Sequence, residues 1–138
     1  MKLRTGLLAA VAAAAIALAA PAQAKTFKYA FQGDLSSLDP HSLNESFLLA
    51  TLGNVYEGLV LYGPDLEIMP GLAESWKLLT PTTWEFKLRE GVKFHGGQDF
   101  NADDVIFSWQ RTLSEGSDQK VRGGQIKNIT KVDDYTIV

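Results

Sequence analysis

From residue 25 onward, the spacing of apolar positions switches between two periods, and each switch predicts an element. Phe27, Tyr29 and Phe31 alternate with Lys28 and Ala30, a strand pattern stopped by Gly33. Between residues 44 and 56, Leu48, Leu49, Leu52, Val55 and Tyr56 recur at helical steps and share one face. Asn44 or Ser46 is the expected cap of that helix, and Gly58 lies just beyond its end. Residues 59–62 read as a short buried strand, followed by a Gly63-Pro64-Asp65 turn. Strands are then predicted over 67–69, 74–79 and 83–89, with 80–82 joining the last two as a hairpin. In the last of these, Trp84, Phe86 and Leu88 point one way, and Glu85, Lys87 and Arg89 the other. A short strand over 92–94 follows the Glu90-Gly91 turn.

Asn101-Ala102-Asp103-Asp104 opens a second helix. Asn101 is placed to cap it, and the aspartates sit in the first turn, where the helix dipole favours anions. Val105, Ile106, Trp109 and Leu113 form its apolar stripe. Residues 114–124 lack periodicity and read as an exposed loop. Two strands, 126–129 and 135–138, flank a turn at Asp133-Asp134.

The first 24 residues follow different rules. Lys2 and Arg4 precede an unbroken apolar run over 7–20, then Pro21, then the small-x-small triplet Ala22-Gln23-Ala24. This is the layout of a secretory signal peptide with cleavage after Ala24. Lys25 rather than Cys follows the cut, so a lipid-anchored form is not expected. Export to a periplasm is the predicted address.

Composition narrows the function classes. The whole chain of 138 residues carries 13 basic and 16 acidic side chains, and both bases of the leader lie before Lys25. A net-acidic chain without a basic block is a poor nucleic-acid binder, because phosphate neutralisation needs clustered Lys and Arg. There is no Cys, hence no disulfide framework or thiolate metal site. His41 and His95 are the only histidines, and His95 with Asp99 is too thin a set for zinc. Asp103 and Asp104 could be considered as an acid/base pair, but adjacent helical positions point about 100° apart. Ser36, Ser37, Ser75 and Ser108 lack a nucleophile elbow, and Gly96-Gly97 and Gly123-Gly124 lack the Lys-Ser/Thr of a phosphate loop. No catalytic residue, cofactor or metal is predicted.

Five blocks, in order, carry a resemblance. They are Leu38-Asp39-Pro40-His41; Tyr56-Glu57-Gly58-Leu59-Val60; Gly71-Leu72-Ala73-Glu74-Ser75-Trp76; Phe86-Lys87-Leu88-Arg89 with Gly91-Val92-Lys93-Phe94-His95; and Phe100-Asn101-Ala102-Asp103-Asp104-Val105 with Phe107-Ser108-Trp109. Together they resemble the family 5 extracellular solute-binding proteins of ABC transporters, the dipeptide- and oligopeptide-binding proteins and their relatives. One departure is Gly96-Gly97, where the family often has an acidic residue before the glycine.

The resemblance implies an α/β, periplasmic binding protein-like fold of type II (cluster C-like), with two lobes and an extra small domain. Members are several times longer, so an N-terminal part is expected: a signal peptide over 1–24, the start of lobe I over 25–56, and an incomplete small α+β domain over 57–138. The implied function is to bind a small solute in the periplasm and deliver it to a membrane permease of an ABC importer. Peptides are the first expectation; nickel chelates, haem, opines and oligosaccharides are the other solute classes. The full-length protein is expected to be a soluble monomer without nucleic-acid partners.

The resemblance places the ligand-binding edge at Asn44, Glu45 and Ser46, with residues 117–123 as a weaker candidate. It makes Trp76, Trp84, Phe86, Phe94, Phe107 and Trp109 core of the small domain, with Arg89 tied to Asp103 or Asp104. The alternative is a small exported α/β interaction module without a solute cleft.

Overall fold

The computed structural model describes residues 26–138, so the predicted export segment lies outside the described residues. The chain falls into two compact units, residues 1–32 and 33–138. In the described part of the first unit, Tyr29 and Phe31 stack with ring centroids 6.4 Å apart. The strand predicted over 27–31 does not form. Alternation gives a segment two faces, but a strand exists only where a ladder of main-chain hydrogen bonds is made.

The second unit begins with helix α1 (Ser46–Leu52), followed by an antiparallel two-stranded ribbon, β1 (Val60–Tyr62) and β2 (Ile68–Pro70). A four-stranded antiparallel sheet follows, built from β3 (Ala73–Thr80), β4 (Thr83–Leu88), β5 (Lys131–Asp133) and β6 (Thr136–Ile137) in the order β3-β4-β6-β5. Between β4 and β5 the chain makes helix α2 (Ala102–Leu113) and the short helix α3 (Lys120–Gly123). The β3–β4 hairpin matches the alternation closely: Thr80 faces Thr83 across a Pro81-Thr82 turn, and Trp76 faces Phe86.

The core cluster is made of Ala73, Leu88, Phe100, Ala102 and Ile137. It therefore sits where the start of β3, the end of β4 and β6 meet the first residue of α2. The large aromatics do not form it as predicted. Phe86 packs against it, but Trp84 is 45% exposed, Phe94 46% and Phe107 69%. For Trp84 the cause is strand length. β6 pairs only with Phe86 and Lys87, so the distal half of the β3–β4 hairpin outruns its neighbour and leaves Trp84 and Leu78 uncovered.

Helix α2 starts as predicted. The Asn101 side chain accepts from the Asp103 N–H at 2.8 Å, and the Asp104 carboxylate accepts from the Asn101 N–H at 2.9 Å, closing a capping box. Lys131 ties this end to the β5–β6 turn, donating to Asp103 and Asp134 at 2.7 Å each. Arg89 does not join either helix aspartate. Its guanidinium donates to the Gly71 carbonyl at 2.9 and 3.2 Å.

Four further expectations change. The strand over 59–62 is shorter and its three residues are exposed rather than buried, because β1 and β2 form a ribbon of their own. Residues 92–94 make a single bridge, Lys93 to Asp99, around a tight turn in which Gly97 has φ of 89°. The strand over 126–129 is absent; β5 begins at Lys131 and its turn is at residues 134–135. The segment 114–124 contains α3 and buries Ser117, Gln119 and Gly123.

Candidate functional site

Residues 37–45 form a turn and then an irregular stretch that ends at the extended Glu45 and leads into α1. The turn closes on Asp39. The Asp39 carboxylate accepts from the His41 N–H at 2.9 Å, and the Asp39 carbonyl accepts from the Ser42 N–H and hydroxyl at 3.2 and 2.9 Å. Pro40 supplies a fixed φ within this turn. The Tyr56 hydroxyl reaches back and donates to the Leu38 carbonyl at 3.0 Å.

A second segment holds this turn from behind. Arg111, in the last turn of α2, splits its guanidinium: Nη1 donates to the Ser114 hydroxyl at 2.7 Å and Nη2 to the Asp39 carboxylate. The Asp118 N–H donates to the His41 carbonyl at 2.9 Å, and the Gln119 side-chain amide reaches the Leu43 carbonyl at 3.5 Å. The His41 amide and then the Arg111 guanidinium hold the Asp39 carboxyl below the usual carboxylate range, against the opposing effect of burial.

The predicted binding residues lie immediately after this turn, and all three are exposed. The helix cap is neither Asn44 nor Ser46. Glu45 supplies it: its two carboxylate oxygens accept from the Phe47 and Leu48 N–H groups at 2.9 and 2.8 Å. A carboxylate there satisfies two orphan donors and favours the positive end of the helix. Glu45 itself is extended, with φ of −120° and ψ of 129°. The helix ends early, at Gly53, where Asn54 donates from its side chain to the Thr51 carbonyl at 3.0 Å. Among the described residues, the side chains of Asn44 and Ser46 and the backbone N–H and carbonyl of Asn44 have no hydrogen-bond partner. The weaker candidate, 117–123, is thus beside the first one, through His41 and Leu43.

Two hollows open nearby. One, of about 830 Å³, is lined by Asp39, His41, Leu52, Tyr56, Phe107 and Arg111. The other, of about 780 Å³, is largely apolar and includes Phe94, Phe100, Val105 and Trp109. Residues 44–46 line neither; they stand on open surface. Asp103 and Asp104 do not converge, since one is held by Lys131 and the other by the Asn101 amide.

Residues 67–138, more than half of the chain, match the family described as "Bacterial extracellular solute-binding proteins, family 5 Middle". The chain belongs to this family. The family 5 assignment agrees with individual relatives. The chain is similar to a dipeptide-binding protein of Escherichia coli (strain K12), 33% identical over 89% of this chain and 27% of that one. Among solved structures it resembles the oligopeptide-binding protein AppA of Bacillus subtilis in complex with a nonapeptide, with a TM-score of 0.65, 27% identity, and coverage of 70% of this chain and 20% of that one. It also resembles MoaA of A. tumefacien R10 in complex with mannopinic acid, with a TM-score of 0.68, 31% identity, and coverage of 75% and 22%. The fold of this family 5 chain is therefore that of the periplasmic binding proteins. It spans about a quarter of the length of the curated relatives it matches.

Sequence reasoning missed the capping role of Glu45, which it placed among the binding residues, and missed Arg111 altogether. Glu45 as a cap is hidden because Glu is not among the preferred N-cap residues. Arg111 is hidden because its partner is 72 residues away.

Proposed function

We propose that this protein is the periplasmic solute-binding component of an ABC importer, that it binds peptides, and that it delivers them to a membrane permease. The observation that carries the reading is the edge at Asn44: an exposed residue beside extended Glu45, with its main-chain and side-chain groups unpartnered among the described residues. Such an edge suits an extended peptide, whose main chain supplies the complementary hydrogen bonds. Because Glu45 takes the capping duty, Asn44 and Ser46 are left available for solute. Relatives named for dipeptides and a nonapeptide complex support peptide as the solute class.

In this reading residues 1–24 direct export, residues 25–56 open a lobe, and residues 57–138 form the accessory domain. Solute binds between lobes that close around it, because the closed state makes the better contacts. The reading assigns no catalytic step to the chain.

The test is calorimetric titration of the protein, purified from its complete reading frame, with a dipeptide, a tripeptide, a nonapeptide and mannopinic acid. Saturable heat with one or more peptides is expected. Heat with mannopinic acid alone would move the assignment to opines, and silence with all four would overturn it.

A further inference from the structure

We propose that Arg111 and Gln119 are positioning residues for peptide binding, which set the Asn44 edge from behind without touching solute. The proposal rests on the peptide-binding reading above and adds to it a mechanism for holding the edge in place.

The turn at 39–42 is closed locally, by bonds from Asp39 to His41 and Ser42. Local bonds fix the shape of a turn but not its placement on the rest of the unit. Placement comes from longer-range bonds: the Tyr56 hydroxyl holds the Leu38 carbonyl just before the turn, and three bonds from between Arg111 and Gln119 hold the turn and the residues after it. Arg111 grips the Asp39 side chain, the Asp118 amide grips the His41 carbonyl, and the Gln119 side chain reaches the Leu43 carbonyl. Arg111 is itself held, because its other nitrogen is bonded to Ser114. A planar guanidinium that meets two partners at once fixes orientation as well as distance.

The two sides of the segment differ. On the clamp side, Ser117 and Gln119 are each only 7% exposed, so their polar groups are largely withdrawn from water, where a lost hydrogen bond is costly. On the other side Asn44 is exposed and unpartnered among the described residues. Leu43 offers its carbonyl to Gln119, and the exposed, unpartnered Asn44 and the extended Glu45 follow it directly. The Arg111 charge is already matched by Asp39, so Arg111 acts through placement of the edge and not as a counter-charge for solute.

The experiment measures peptide affinity, with the protein from its complete reading frame, for the parent, Arg111→Gln, Arg111→Lys, and each of these combined with Asn44→Pro, which removes the Asn44 N–H. All titrations are run well below the melting temperature of each variant. Arg111→Gln is expected to weaken peptide binding about tenfold, with Arg111→Lys intermediate because it keeps charge without the fork. In the Asn44→Pro background the same change is expected to cost less than about twofold, since residues acting as one unit are not additive. Parent-like affinity in Arg111→Gln, or a loss that adds in full to that of Asn44→Pro, overturns the proposal. If Arg111→Gln does not fold, Gln119→Met is judged by the same two criteria. A parent protein that binds no peptide removes the peptide-binding reading itself, which separates that failure from the failure of the clamp.

Discussion

Arg111, at the end of α2, donates to the carboxylate of Asp39, a residue 72 positions earlier in the chain. This pair joins the turn before α1 to the helix that packs on the four-stranded sheet. Asp39, held by the His41 N–H first and then by Arg111, also gives the fold a defined response to acid. The folded carboxyl has the lower pKa, so the folded state holds the proton less tightly than the unfolded one. The contribution of Asp39 is complete above the unfolded value of about 3.9. It is lost as the pH falls through the lower folded value. Urea melts from neutral pH down through the carboxylate range should therefore show a steeper acid loss in the parent than in Asp39→Asn. Identical profiles would mean that Asp39 carries no linkage.

Gly71 is predicted to resist any side chain. A Cβ there would stand 2.5 Å from the Gly58 carbonyl oxygen, a backbone atom that cannot swing away. The Gly71 carbonyl is also the acceptor for Arg89. Gly71→Ala should cost about 1–3 kcal/mol, the usual range for forcing extra volume into a packed site. Chemical denaturation of the two proteins measures it directly, and equal midpoints would contradict the close approach.

Leu88 and Trp84 sit on the same strand, four residues apart, with opposite fates. Leu88 is 3% exposed and belongs to the core, while Trp84 is 45% exposed. Leu88→Ala should destabilise by about 2–5 kcal/mol. Trp84→Ala should destabilise less than Leu88→Ala, because its site is half-exposed. The reverse ranking, by thermal or urea melts, would restore the aromatic core that the sequence pattern suggests.

That contrast shows what the sequence makes legible. The β3–β4 hairpin is readable because alternation, a Pro-Thr turn and pairing all lie within 16 residues. The start of α2 is readable because a capping box is a four-residue signal. How much of the hairpin is flanked by its neighbour is not readable, because that depends on how far β6, formed some 50 positions later, runs alongside β4. The candidate edge is legible as a place only, by likeness to a family. Its support is not, because Arg111, Asp118 and Gln119 reach it through tertiary bonds that leave no periodic trace. Val92 to Phe94 and residues 126–129 are apolar enough for strands, yet a tight glycine turn and the later start of β5 leave them without a ladder.

The central claim is that the exposed main chain at Asn44 pairs with a bound peptide. Amide hydrogen exchange, measured at residue level on the protein from its complete reading frame with and without saturating peptide, tests it most directly. The Asn44 amide should exchange quickly in the free protein, where it has no partner among the described residues, and slow markedly when peptide binds. Peptide binding that leaves the Asn44 amide exchanging as fast as before would contradict the account.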